Sequence, residues 1–212
     1  DWKKILKSTT SMHEPVTIMS HVGNNNVTIG QSSDKIRKRF SVEINTSLIY
    51  SLPFKVTRST LLQYFQYKLI HGYFPTNEYL YRIKIKDTKL CDVCGEIDTV
   101  DHFFIECQET ADLWQRFFEL FKPIVSKLQL TNPEIIYGIL QSDKNALAIN
   151  WVILIMKHFI YTYKWQKIAL SFAAFIEHLK YQIKIEKEIE RIYAKNLSFK
   201  WKWQIIENFL TQ

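Results

Sequence analysis

The sequence predicts an all-α protein, a helical bundle interrupted by one small irregular insert. From Ser59 onward, apolar residues recur at three- and four-residue spacing, the pattern of helices that each bury one face. Hydrophobic residues make up 47% and aromatics 15% of the 212 residues, enough for the core such a bundle needs. All three cysteines lie between Cys91 and Cys107, and that window is the insert.

Taken in order, residues 8 to 34 are rich in Ser, Thr, Asn and Gly without sustained periodicity and read as linker, loops or a weak hairpin. Residues 1–47 are therefore expected to be an irregular N-terminal segment. Leu61, Leu62, Phe65 and Leu69 then define a helix that Gly72 stops and Pro75 keeps from continuing. A short helix restarts at Thr76 or Asn77 and carries Tyr79, Leu80 and Ile83. After the insert, Trp114, Phe117, Phe118, Phe121 and Val125 form an apolar stripe that Pro123 kinks or ends. Residues 48–125 are thus expected to form helices around the insert.

Asn132 reads as an N-cap and Pro133 as the first residue of the next helix. A nearly all-apolar helix follows from about Ala146 to Lys167, another from about Ser171 to Asn196, and a last one from Phe199 to Leu210. In the last, Phe199, Trp203, Ile206 and Leu210 share a stripe. Residues 126–212 are expected to be a C-terminal bundle packed on the first part. The apolar run Ala146 to Met156 is shorter than the roughly 20 residues a bilayer span needs and reads as core helix.

Lys and Arg number 28 against 21 Asp and Glu, a net charge of +7, which suits a polyanionic partner. Three cysteines cannot pair off, and no basic segment followed by an apolar one opens the chain, so a secreted disulfide scaffold is not expected. The expected location is cytoplasmic or nuclear. The first residue, Asp1 rather than Met, suggests a fragment or a processed product.

In the cysteine window, two residues separate Cys91 from Cys94, seven separate Cys94 from His102, and four separate His102 from Cys107. A two-residue gap lets one tight turn present two thiolates to one ion, and zinc takes four sulfur or nitrogen ligands tetrahedrally. Cys91, Cys94, His102 and Cys107 are therefore the candidate ligands of one structural zinc, and the insert is a zinc knuckle. Asp98 or Thr99 caps a short helix through His102, which brings His102 and Cys107 to one end. Four protein ligands leave no position for a catalytic water. The central gap is shorter than the ~12 residues of a C₂H₂ finger, and no strand-helix pattern supports a thioredoxin-like pair.

The window and the stretches around it resemble the zinc-binding region that follows the polymerase domain in reverse transcriptases of non-long-terminal-repeat (LINE-type) retrotransposons. The likeness is carried by "LPFKVTRSTLLQYFQYKLIHGYFPTNEYLYRIKIKDTKLC", by the Cys-Cys-His-Cys window, by Leu113-Trp114, and by "FIYTYKWQK" with "IEKEIERIYAKN". It covers about residues 48 to 205. The resemblance implies a non-catalytic accessory domain whose partners are template RNA or target DNA and the polymerase domain of the same polyprotein. No adjacent Asp-Asp pair, part of that family's catalytic motif, occurs in these 212 residues.

Neither a membrane nor a small-molecule substrate is expected as a partner, and no catalytic residue is assigned. The candidate nucleic-acid contacts are the basic run Lys35, Arg37, Lys38 and Arg39, together with Lys164, Lys167, Lys200 and Lys202. The last four alternate with Tyr161, Tyr163, Trp165, Trp201 and Trp203, so that rings stack on unpaired bases while lysines meet phosphates. The basic run also reads as a solvated helix face, and single rings as core. Lys164 and Lys167 are expected in solvent on either reading. The competing reading is a zinc-stapled module that docks on protein, burying one face of the apolar Ala146–Ile160 helix against a partner.

Overall fold

A computed structural model describes residues 34, 36–40, 43–128, 130–193 and 200–211. It divides into two compact units, Asp1–Glu43 and Ile44–Gln212. In the first, the described residues make one helical turn, in which the Lys38 amide donates to the Asp34 carbonyl at 3.1 Å. The linker expected at 8 to 34 lies outside the described residues apart from Asp34, as do Lys35 and Phe199.

The described residues of the second unit are mainly helical, and the only β-type pairing among them is an isolated Leu90–Ile97 bridge. Helix α1 (Thr46–Val56) starts well before Ser59, where the helical pattern becomes strong in the sequence. Asn45 caps it by accepting from the Ser47 amide at 3.0 Å, and it buries Ile49, Leu52 and Val56 at helical spacing. Helix α2 (Thr60–Ile70) ends as expected at Gly72, whose φ of 69° is the left-handed turn that glycine adopts without strain. Helix α3 (Asn77–Arg82) follows, with Thr76 as its N-cap.

After the knuckle come α4 (Gln108–Leu120), α5 (Lys122–Leu128) and α6 (Asn132–Tyr137). The expected stripe is split at Phe121, and Pro123 sits in the first turn of α5, where its missing N–H costs nothing. Thr131 rather than Asn132 is the N-cap of α6, and its amide donates to the Glu134 carboxylate at 2.7 Å. At the other end of α6, Gly138 has φ 114° and faces the Leu52 side chain so closely that a Cβ would not fit.

Helix α7 (Lys144–Gln166) is the axis of the unit. It packs against α1, α2 and α5, against the turn that carries His102, and against α8 (Phe172–Tyr193) and α9 (Lys200–Leu210). Residues at every angle around it are buried, from Ala146 through Trp151 and Ile155 to Ile160. It is long and apolar enough to cross a membrane, yet 72% of its apolar window is buried inside the protein.

The buried stretch does not stop at Lys157. That side chain is 2% exposed and donates to the Gln66 side-chain oxygen at 2.8 Å and the Ile136 carbonyl at 2.7 Å. Burial pulls its pKa down to about 7. Fully buried Val, Leu, Ile, Phe and Met side chains contribute roughly 1.5–3 kcal/mol each. Val152, Ile153, Leu154, Ile155, Met156 and Phe159 therefore offset the cost of one buried amine.

Candidate metal centre

The first two candidate ligands are placed by a local hairpin. The Cys91 amide donates to the Glu96 carbonyl at 2.7 Å, and the Gly95 amide to the Cys91 carbonyl at 3.0 Å. Gly95 turns the chain with φ 78°, so the Cys-x-x-Cys segment closes on itself. Burial pushes the Cys91 thiol pKa up, while the Val93 and Cys94 amides, donating to the sulfur, pull it down. Amides aimed at sulfur favour a thiolate, the form in which zinc takes cysteine.

The other two ligands come from a single π-turn, His102–Glu106. The Cys107 amide donates to the His102 carbonyl at 2.9 Å, a five-residue step. In an α-helix, five residues at 3.6 per turn would leave these positions about 140° apart. The wider turn returns Cys107 to the face that His102 occupies. Thr99 starts the segment by accepting from the His102 amide at 3.0 Å. Of the two capping residues expected here, Thr99 is the one that serves.

The ligand atoms of Cys91, Cys94, His102 and Cys107 all lie within 4.8 Å of one another. Cys91 Sγ and Cys107 Sγ are 3.9 Å apart, and Cys94 Sγ and His102 Nε2 are 3.3 Å apart. A tetrahedron with metal–sulfur and metal–nitrogen bonds of about 2.3 and 2.0 Å has edges of about 3.5–3.8 Å. The donors present thus fit one zinc ion bound through three sulfurs and Nε2.

Residues 34–114 match the family model described as zinc-binding in reverse transcriptase. That match and the Cys91, Cys94, His102 and Cys107 cluster together fit a reverse-transcriptase zinc-binding region. The match spans less than half of the 212 residues and ends at Trp114. No curated protein and no solved structure matches the chain.

The π-turn at His102–Glu106 leaves carbonyls without helical partners, and side chains from α4 and α7 take them up. Trp114 Nε1 donates to the Phe104 carbonyl at 2.6 Å, Thr110 Oγ1 to the Ile105 carbonyl at 3.2 Å and the Cys107 carbonyl at 2.9 Å. Lys164 Nζ reaches the Phe103 carbonyl at 3.1 Å. Asp98 has a task the sequence did not announce. Its carboxylate accepts from the Asn77 amide at 2.7 Å, tying the start of α3 to the knuckle, and burial raises its pKa. The Asn77 side chain continues the link by donating to the Leu90 carbonyl at 2.7 Å.

Two candidate phosphate contacts require correction. The Lys164 side chain is 9% exposed, held by the Phe103 carbonyl and by Glu109 at 3.7 Å, and does not stand free in solvent as expected. Lys202 is 1% exposed, donates to the Val56 carbonyl at 2.7 Å and lies 4.0 Å from the centre of the Trp203 ring. Burial lowers its pKa to about 8 against the pull of Glu186 and Glu190. Trp203 is core, packed edge-on to Trp151 at 5.0 Å, whereas Trp165 is exposed. Arg37 and Lys38 are exposed, Arg39 is partly covered, and Lys167 is exposed at the end of α7. The Lys200 side chain and Lys35 lie outside the described residues.

Proposed function

We propose that this chain is a non-catalytic accessory domain of a LINE-type reverse transcriptase, and that it engages template RNA or target DNA beside the polymerase domain of the same polyprotein. The observation that carries this reading is the closed Cys₃His cluster within a segment that matches reverse-transcriptase zinc-binding regions. Four ligands hold a metal without offering it to a substrate, so the role is architectural. The net charge of +7 supports a nucleic-acid partner.

The competing protein-docking reading relied on an uncovered face of α7. That face is taken up within the chain, since Ala148, Trp151, Val152, Ile155 and Phe159 are each 0% exposed. The deciding experiment is titration of the zinc-loaded chain with labelled single-stranded RNA and DNA across a salt series. Affinity that falls steeply with salt supports the reading. No binding at low salt by soluble, monodisperse protein refutes it.

A further inference from the structure

Helices α1 and α2 and the turn after them carry an aromatic surface that neither the metal centre nor the core uses up. Tyr64 and Tyr67 of α2 and His71 at its C-cap follow at helical spacing on one face. The Tyr64 and Tyr67 rings are 6.5 Å apart and 10° from parallel, and Tyr67 lies 4.2 Å from His71. Beyond Gly72 the Tyr73 amide reaches back to the Lys68 carbonyl at 2.9 Å, a turn that folds the chain over the helix end. The Tyr73 ring thereby comes to 6.1 Å from His71, only 8° from parallel. Tyr50 of α1 completes the row at 5.5 Å from His71. Burial lowers the His71 pKa, so at neutral pH it adds a flat uncharged ring. Tyr64 and Tyr73 are 44% and 50% exposed.

The charge of this stretch has one sign. Between Glu43 and Glu78 there is no Asp or Glu, while Lys55, Arg58 and Lys68 are present. Lys68 Nζ stands 4.9 Å from the centre of the Tyr64 ring. Exposed rings with a neighbouring ammonium suit a polyanion whose own flat groups are uncovered. A duplex hides its base faces, whereas a single strand presents them.

We propose that Tyr50, Tyr64, Tyr67, His71 and Tyr73 form a stacking platform for the unpaired bases of a single-stranded nucleic acid, with Lys68 beside its phosphates. This rests on the nucleic-acid reading above and gives it a location. Because every base has a stacking face, binding through such a platform is tolerant of sequence.

The test uses the full zinc-loaded chain and fluorescence anisotropy with oligouridylate and oligothymidylate of about 15 nucleotides. Tyr64→Ala and Tyr73→Ala are each expected to weaken binding about tenfold. An abasic strand of the same length should bind the wild type and both variants alike. Variants that bind the base-bearing strands as tightly as wild type overturn the platform while leaving the proposed function standing, and would point to a protein partner for this face. A wild-type chain that binds no strand at low salt fails the proposed function itself. If a variant loses its helical signal or its zinc, tyrosine nitration of the wild type decides. Protection of Tyr64 and Tyr73 by the strand supports the platform, and unchanged nitration overturns it.

Discussion

The indole of Trp114 donates to the carbonyl of Phe104 at 2.6 Å, joining α4 to the turn that presents two metal ligands. Without that donor the carbonyl stays buried and unpaired, at a cost of about 1–3 kcal/mol. Trp114→Phe keeps much of the ring and removes the bond. We expect a lower melting temperature and weaker zinc retention, read by competition with a chromogenic chelator. Unchanged zinc affinity would mean that the turn holds its shape without α4.

Removal of a ligand should act more strongly. Zinc in small structural sites is worth about 10–16 kcal/mol in apparent terms, comparable to the whole stability of a domain. Cys94→Ser and His102→Ala are therefore expected to lower zinc stoichiometry and melting temperature together, measured by elemental analysis and circular dichroism. A full complement of zinc in either variant would refute the ligand set.

Two buried bases set opposite limbs of the pH profile. The Lys157 pKa is drawn down to about 7, against about 10.4 for an exposed lysine. Between these values the unfolded chain holds a proton the folded chain has lost, so stability rises with pH from about 7 to about 10. The His158 pKa is lowered to about 4, by burial first and then by His178 and Lys68. An exposed histidine titrates near ~6.5, so His158 makes stability fall as pH drops from about 6.5 to about 4. Urea denaturation at several pH values should show Lys157→Met flattening the alkaline limb and His158→Phe the acid limb. Metal release at low pH affects variant and wild type alike and drops out of their difference.

The fates of Lys202 and Lys167 should separate. Lys202→Met leaves the Val56 carbonyl without the ammonium that donates to it, so melting temperature should drop. The salt dependence of oligonucleotide binding should not change, because this ammonium is buried. A slope reduced by about one would return Lys202 to the contact set.

Lys167 ends α7 with φ 56°, a left-handed conformation costly for any residue with a Cβ. Lys167→Gly should therefore stabilise the fold by up to about 1 kcal/mol. If this exposed lysine meets phosphate, the same substitution weakens RNA binding, so the two readouts move in opposite directions. Undiminished binding removes Lys167 from the nucleic-acid contacts.

Local spacing made the zinc ligands legible, since Cys91, Cys94, His102 and Cys107 lie within one short window and ligand chemistry restricts what such a window can be. Most helices were legible for the same reason, as apolar period is a local property. The bounds of helix α1 are not written in local spacing, because Pro53 stands inside it and a proline in a pattern argues against helix unless the surrounding packing outweighs the lost hydrogen bond.

What the sequence alone determined is therefore the helical class and the identity of the metal site, both written in near-neighbour spacing. Only the tertiary structure decided which polar groups face water. Lys164, Lys202 and Lys157 carry the residue type of a solvated surface, yet Lys202 and Lys157 are buried and Lys164 is largely covered, each against carbonyls far along the chain, at Phe103, Val56 and Ile136. A long aliphatic stem lets an ammonium reach such a partner, and the partner exists only once the helices have packed. The tyrosine row depends on tertiary structure too, because Tyr50, His71 and Tyr73 meet only where α1, the end of α2 and the turn at Gly72 come together.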